Sequence, residues 1–161
     1  MVLFLSIING WSTHQVEFFL AFPQAEIEFE MYMKIPQGIE TKGGSRTMHV
    51  LNLLKNLYGQ RQGSRVWNQH LTKGLQEIGF RQYRVDNCMF YWHEVMFIVY
   101  VYHGIFASPS DAVIVQAIVE IGVNVDIEYQ GTLDNYIGVN IDFLSDRKIK
   151  ILQPHLIDQI M

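Results

Sequence analysis

The stretch Ile98-Val99-Tyr100-Val101-Tyr102-His103-Gly104-Ile105-Phe106 decides how this chain folds. It is apolar enough to be a buried strand, yet Tyr102 and His103 interrupt it and Gly104 follows at once. Just upstream, Met89-Phe90-Tyr91-Trp92 and Met96-Phe97-Ile98-Val99-Tyr100-Val101 flank His93-Glu94-Val95, the pattern of two antiparallel strands joined by a short loop. Two strands therefore lead into the interrupted segment.

Before this hairpin, Trp67, Leu71, Leu75 and Ile78 recur at helical spacing across residues 65–78, with Ser64 positioned to cap and Gly79 to terminate. Thr47-Met48-His49-Val50-Leu51-Asn52-Leu53 alternates loosely and predicts a strand. After the hairpin, Ser110 through Ile121 predicts a mostly buried helix capped by Ser108 or Ser110. Alternating strands are expected at 125–129, 136–142 and 148–151, and Pro154 opens a helix expected to run through Met161. The order is α+β: an antiparallel sheet with two helices packed on one face.

With 161 residues, 49% of them hydrophobic, the chain suits one core and one domain. Cys88 stands alone, which excludes an intramolecular disulfide and a cysteine-rich zinc site and predicts an intracellular, reducing setting. The apolar start, residues 2–8, has neither a basic leader nor the length to span a bilayer, so it predicts a buried helix or strand and no membrane partner.

The net charge of −4 argues against indiscriminate nucleic-acid binding, but the charge is segregated. Residues 1–40 hold Lys34 against five glutamates, and residues 85–161 hold three cations against ten carboxylates. Between them, residues 41–84 hold Lys42, Arg46, Lys55, Arg61, Arg65, Lys73, Arg81 and Arg84 against Glu77 alone. That middle could face a phosphate backbone, or it could be a solvated helix face.

Three ordered blocks carry a family resemblance. The first runs from His14-Gln15-Val16-Glu17-Phe18-Phe19-Leu20-Ala21-Phe22 to Met31-Tyr32-Met33-Lys34-Ile35-Pro36-Gln37-Gly38. The second is Leu57-Tyr58-Gly59-Gln60-Arg61-Gln62-Gly63-Ser64-Arg65-Val66-Trp67, and the third is the interrupted strand itself. Gly79-Phe80, Asp86, Cys88 and Phe90, then Gln130-Gly131 and Tyr136-Ile137-Gly138-Val139, extend the match as packing motifs. From about residue 7 onward the chain resembles the palm of a copia-type retrotransposon reverse transcriptase, an RNA-directed DNA polymerase.

The resemblance implies a reverse-transcriptase palm-like antiparallel sheet and a single partial domain over 1–161, with the family's fingers, thumb and ribonuclease H parts expected outside it. It also implies two Mg²⁺ ions bridged by three aspartates, which activate the primer's 3′ oxygen and neutralise the departing pyrophosphate. Here those three positions hold Glu17, Tyr102 and His103. A phenol and a neutral imidazole cannot bridge metal ions as carboxylates do, so Glu17 is the one metal-binding side chain left and a degenerate, inactive site is expected. Mg²⁺ is then a cofactor of the family that this chain is not expected to bind functionally.

Nucleotide-contacting roles are implied for Phe22, as a screen for the sugar's 2′ position, and for Gln62, Gly63, Arg65, Tyr100 and Val101. The residues read alone leave Phe22 as a core side chain and Arg65 as an exposed helix arginine. The implied partners are an RNA template and a DNA primer, with residual binding through 41–84. A transition-metal site from His93, His103 and Glu17 has no supporting spacing, and Asp126, Glu128, Asp134 and Asp142 read as surface carboxylates.

Overall fold

The structure, a computed structural model, describes residues 1–39, 48–145 and 147–160. In chain order the elements are α1 (Val2–Asn9), β1 (Ser12–Phe18), α2 (Ala21–Gln24), β2 (Glu26–Lys34), β3 (Val50–Lys55), α3 (Gly63–Glu77), β4 (Arg81–Gln82) and β5 (Met89–Trp92). They continue with β6 (Val95–Tyr100), β7 (His103–Ser108), α4 (Asp111–Ile121), β8 (Ile127–Thr132), β9 (Asn135–Tyr136), β10 (Val139–Leu144), β11 (Lys148–Leu152) and α5 (Pro154–Ile160). The architecture is α+β and the pairings are antiparallel.

The main sheet has six strands in the order β4-β5-β6-β7-β1-β8. Alternation along each strand assigns its two faces. Val16 and Phe18 of β1, Phe90 of β5, Val95, Phe97 and Val99 of β6 and Phe106 of β7 form one core with α3 (Trp67, Leu71, Leu75) and α4 (Ile114, Ala117, Ile121). Each such large side chain withdrawn from water contributes about 1.5–3 kcal/mol. The residues between them turn the other way: Met89, Met96 and Ala107 meet Val2 of α1, while Ile105 meets Leu133 and Ile141. Two smaller sheets flank this body, β11-β10-β9 and the ribbon β2-β3.

Several local expectations need correction. The first helix is only partly covered, because Val2 and Ser6 are buried while Phe4 and Ile8 lie in solvent. Ser64 is inside α3 and does not cap it; the helix starts one residue earlier, at Gly63, after Gln62. At α4 the cap position is Ser110, whose own N–H is held by the Ser108 hydroxyl at 3.2 Å. The expected strand over 136–142 is broken by Ile137 (φ 52°) and Gly138 (φ 75°), whose paired positive φ values turn β9 back along β10. The strand expected at 125–129 is shifted to Ile127–Thr132, and that at 47–53 to Val50–Lys55. Thr47, Lys42, Arg46 and Met161 lie outside the described residues.

Candidate functional site

β1 and β7 pair in register through Val16↔Gly104 and Glu17↔His103. Because Val16 and Phe18 enter the helix-side core, Glu17 between them must face the opposite side, and His103 faces the same way. The His103 imidazole Nδ1 lies 3.0 Å from the Glu17 carboxylate. Both side chains line a cleft of about 110 Å³ with Gln15, Gln130, Asn135 and Tyr136. Burial, ahead of smaller effects from Cys88 and Tyr100, pushes the Tyr136 phenol up to about 12, so it is a neutral donor at any ordinary pH.

The β6–β7 turn consists of Val101 and Tyr102, one residue earlier than the Tyr102–His103 turn its polarity suggests. His103 is already the first residue of β7 and pairs with Tyr100. Val101 takes φ 56°, a strained value for a β-branched side chain. The turn is held from two sides. Trp67 donates its indole N–H to the Val101 carbonyl at 2.5 Å, and the Phe18 N–H donates to the Tyr102 carbonyl at 2.8 Å. Such strain persists where the surroundings over-determine it, and here a core tryptophan of α3 and the end of β1 do so.

The Tyr102 ring lies 4.2 Å from that of His103 and 6.3 Å, edge on, from Tyr58, which stacks on Phe22 at 4.6 Å. Phe22 is buried in the main core and backs onto Gly63, where an added Cβ would stand 3.1 Å from the Phe22 ring. Close packing, rather than a turn, is what requires glycine there. Gln62 donates its amide to the Met31 sulfur at 2.8 Å. Arg65 reaches across to β2 and forks onto both Glu28 oxygens, so a phosphate would have to displace that carboxylate. Tyr100 is exposed at the end of β6.

Thus Glu17, Tyr102 and His103 are adjacent, Phe22 and Gly63 touch each other, and Arg65 and Gln62 are joined to the β2 ribbon. A pair of Mg²⁺ ions needs several bridging carboxylate oxygens in octahedral geometry. One carboxylate beside an imidazole and a phenol does not fit that requirement. Among the described residues no three His, Cys, Asp or Glu side chains gather as a metal-holding group. No helix among them is long and apolar enough to cross a membrane.

Residue-by-residue reading missed two neighbours. Tyr136 appeared as a packing position, yet it contributes a ring 6.0 Å from His103 and a polar group to the cleft. His14, buried at 2% exposure on the helix side, bonds Asp111 at 2.7 Å and the Tyr129 hydroxyl at 2.8 Å. Its even spacing with Val16 and Phe18 is the one sequence signal for that placement.

An antiparallel sheet backed by two helices thus carries Glu17 and His103 at the end of the β1–β7 pairing, with Tyr102 in the adjoining turn. The family model described as reverse transcriptase (RNA-dependent DNA polymerase) matches residues 1–161. The chain belongs to that family, and its relatives are of the copia retrotransposon type. It is 24% identical to a putative transposon Ty5-1 protein of Saccharomyces cerevisiae over 81% of its own length and 43% of the relative's. It is 32% identical to the retrovirus-related Pol polyprotein from transposon RE1 of Arabidopsis thaliana over 62% of the chain and 7% of that polyprotein. With the Pol polyprotein from transposon TNT 1-94 of Nicotiana tabacum it shares 23% identity over 99% of the chain and 12% of the relative. The chain therefore spans less than half of these relatives. No solved structure matches it.

Proposed function

We propose that this chain is a copia-type reverse-transcriptase palm in which the chemistry of polymerisation has been lost. The observation that carries the reading is the Glu17–His103 contact of 3.0 Å, with Tyr102 beside it. At the positions where the resemblance implies three bridging aspartates, the lone carboxylate is engaged by an imidazole. Glutamate also sets its oxygens about an ångström or more further out than aspartate, and errors of that size cost on the order of 10²-fold in rate.

The test is primer extension on an RNA template with Mg²⁺, comparing the 161-residue chain with its Glu17→Asp, Tyr102→Asp, His103→Asp variant. The parent should not extend; extension by the parent would overturn the reading. The family's nucleic-acid substrates, an RNA template and a DNA primer, are the partners this reading assigns, in an intracellular setting.

A second reading, a non-catalytic nucleic-acid-binding module, is favoured by the basic middle. Arg61, Arg81 and Arg84 are exposed, and none is in an ion pair with a described residue. Binding through them would weaken steeply as salt rises.

A further inference from the structure

β1 carries a second polar contact on the face opposite Glu17. In the β1–β8 register Val16 lies across from Tyr129 and Phe18 across from Ile127; Val16 and Phe18 enter the helix-side core and Ile127 packs against it. Tyr129 therefore stands on that side, and so does His14, which is 2% exposed. The His14 ring lies between two partners, with Nε2 2.7 Å from an Asp111 carboxylate oxygen and Nδ1 2.8 Å from the Tyr129 hydroxyl. The two rings are stacked, their centroids 5.6 Å apart. Three elements, β1, α4 and β8, supply this one chain of hydrogen bonds.

The direction of the chain is set by its charged end. Hydrogen bonds from His14 and Ser12 hold the Asp111 carboxyl below its ordinary range, so at neutral pH it can only accept. Neutral His14 must then carry its proton on Nε2, which leaves the Nδ1 lone pair to accept from the Tyr129 O–H. A hydroxyl bonded to a base that a third group orients is the arrangement of an activated nucleophile. Exposure does not distinguish Tyr129, at 50%, from Tyr58, at 52%. The bond to His14 does, because Tyr58 has no hydrogen-bond partner among the described residues. The fixed charge beside the pair is a carboxylate, which repels an anionic phosphoryl donor and tolerates a neutral carbonyl compound.

We infer that Tyr129 is a nucleophilic acyl acceptor, with His14 as its general base and Asp111 as the residue that positions the base, and that its substrates are neutral activated esters. As the Tyr129 oxygen bonds to the carbonyl carbon, its proton passes to His14 Nδ1. The tetrahedral adduct then breaks its bond to the ester's alcohol or phenol oxygen, which leaves with the electron pair, and the imidazolium gives its proton to that anion or to water. The product is an O-acyl tyrosine, with nothing oxidised or reduced. The site shares no side chain with the cleft that Glu17 and His103 line, and the inference stands whether or not the chain polymerises.

The experiment incubates the 161-residue chain with 4-nitrophenyl acetate and maps the acetyl groups over time by peptide mass spectrometry, comparing Tyr129 with Tyr58, Tyr83 and Tyr102 in the same molecule. Tyr129 should be acetylated on the order of 10²-fold faster than these, the lower end of what a positioned general base supplies. His14→Gln and Asp111→Asn, each assayed below its own melting transition, should bring Tyr129 down to the rate of the others. Asp111→Glu, which keeps an accepting carboxylate, should restore the difference. The other three tyrosines are not bonded to His14, so their rates report the fold of each variant and should not change. Equal rates at Tyr129 and Tyr58 in the parent would overturn the inference, as would a fast Tyr129 in folded His14→Gln. Primer extension, which tests the loss of chemistry at Glu17, does not enter into this readout.

Discussion

Glu17 and His103 face each other across the β1–β7 ladder, in register and with carboxylate and imidazole 3.0 Å apart. The contact engages the Glu17 carboxylate with a neighbour that itself ligates hard cations poorly. In calorimetry, Mg²⁺ should therefore bind no more tightly than to any acidic protein surface, and Glu17→Ala should leave the isotherm unchanged. Saturable micromolar binding that vanishes in Glu17→Ala would contradict this.

Restoring the ligands should separate binding from catalysis. The Glu17→Asp, Tyr102→Asp, His103→Asp variant should bind Mg²⁺ better than its parent, because opposed carboxylates that repel one another are relieved by the ion. The isolated 161-residue variant should still not extend a primer, since positioning of the triphosphate supplies a large share of the rate. Measurable extension would show that these 161 residues suffice.

Gly104 should tolerate no side chain. A Cβ there would stand 2.6 Å from the Phe97 ring and 2.8 Å from Val16 Cγ2, both in the close-packed core. Gly104→Ala should destabilise the fold by about 1–3 kcal/mol, read as a lowered midpoint in urea with an unchanged slope. Gly74→Ala is the control, its nearest contact being 3.6 Å away at Asn124.

Removing one hydrogen bond should loosen the β6–β7 turn. Trp67→Phe keeps a ring in the core but orphans the Val101 carbonyl, at a cost of about 1–3 kcal/mol, with faster amide exchange expected at Tyr102 and His103. Equal exchange rates in both proteins would show that Trp67 does not hold the turn.

Acid should act through Asp111. Hydrogen bonds from His14 and Ser12 hold its carboxyl below the ordinary value of 3.8. A depressed folded pKa contributes stability above the unfolded pKa, and that contribution is lost as pH falls through the folded one. Parent and Asp111→Asn should therefore differ in melting temperature at pH 6 and converge below pH 3.8. A constant difference across that range would place the acid sensitivity elsewhere.

The parts of this fold legible in the sequence are those in which one periodicity dominates. Trp67, Leu71 and Leu75 mark the buried stripe of α3, and Met89 through Tyr100 alternate cleanly between the two faces of the sheet. Less legible were positions set by backbone conformation. Val101 at φ 56° and Ile137 at φ 52° are β-branched residues in turns, contrary to their propensity, so the alternation was extended through them. At the site, the adjacency of Glu17, Tyr102 and His103 followed from strand order once the resemblance supplied it. The pairing of Arg65 with Glu28 did not, because it depends on where the β2–β3 ribbon packs relative to α3.

The sheet order carries a consequence for synthesis. β1 leaves the ribosome before every other strand of this sheet, but its two neighbours in the finished sheet are β7 and β8, encoded far downstream. Until β7 at His103–Ser108 has emerged, Val16 and Phe18 have no strand beside them, and α4 and β8 follow only after it. The nascent chain must carry that segment uncovered until β7 has been made, a window in which an unpaired apolar strand is open to chaperones or to other nascent chains. The first strand of this sheet to be made is thus among the last to be paired.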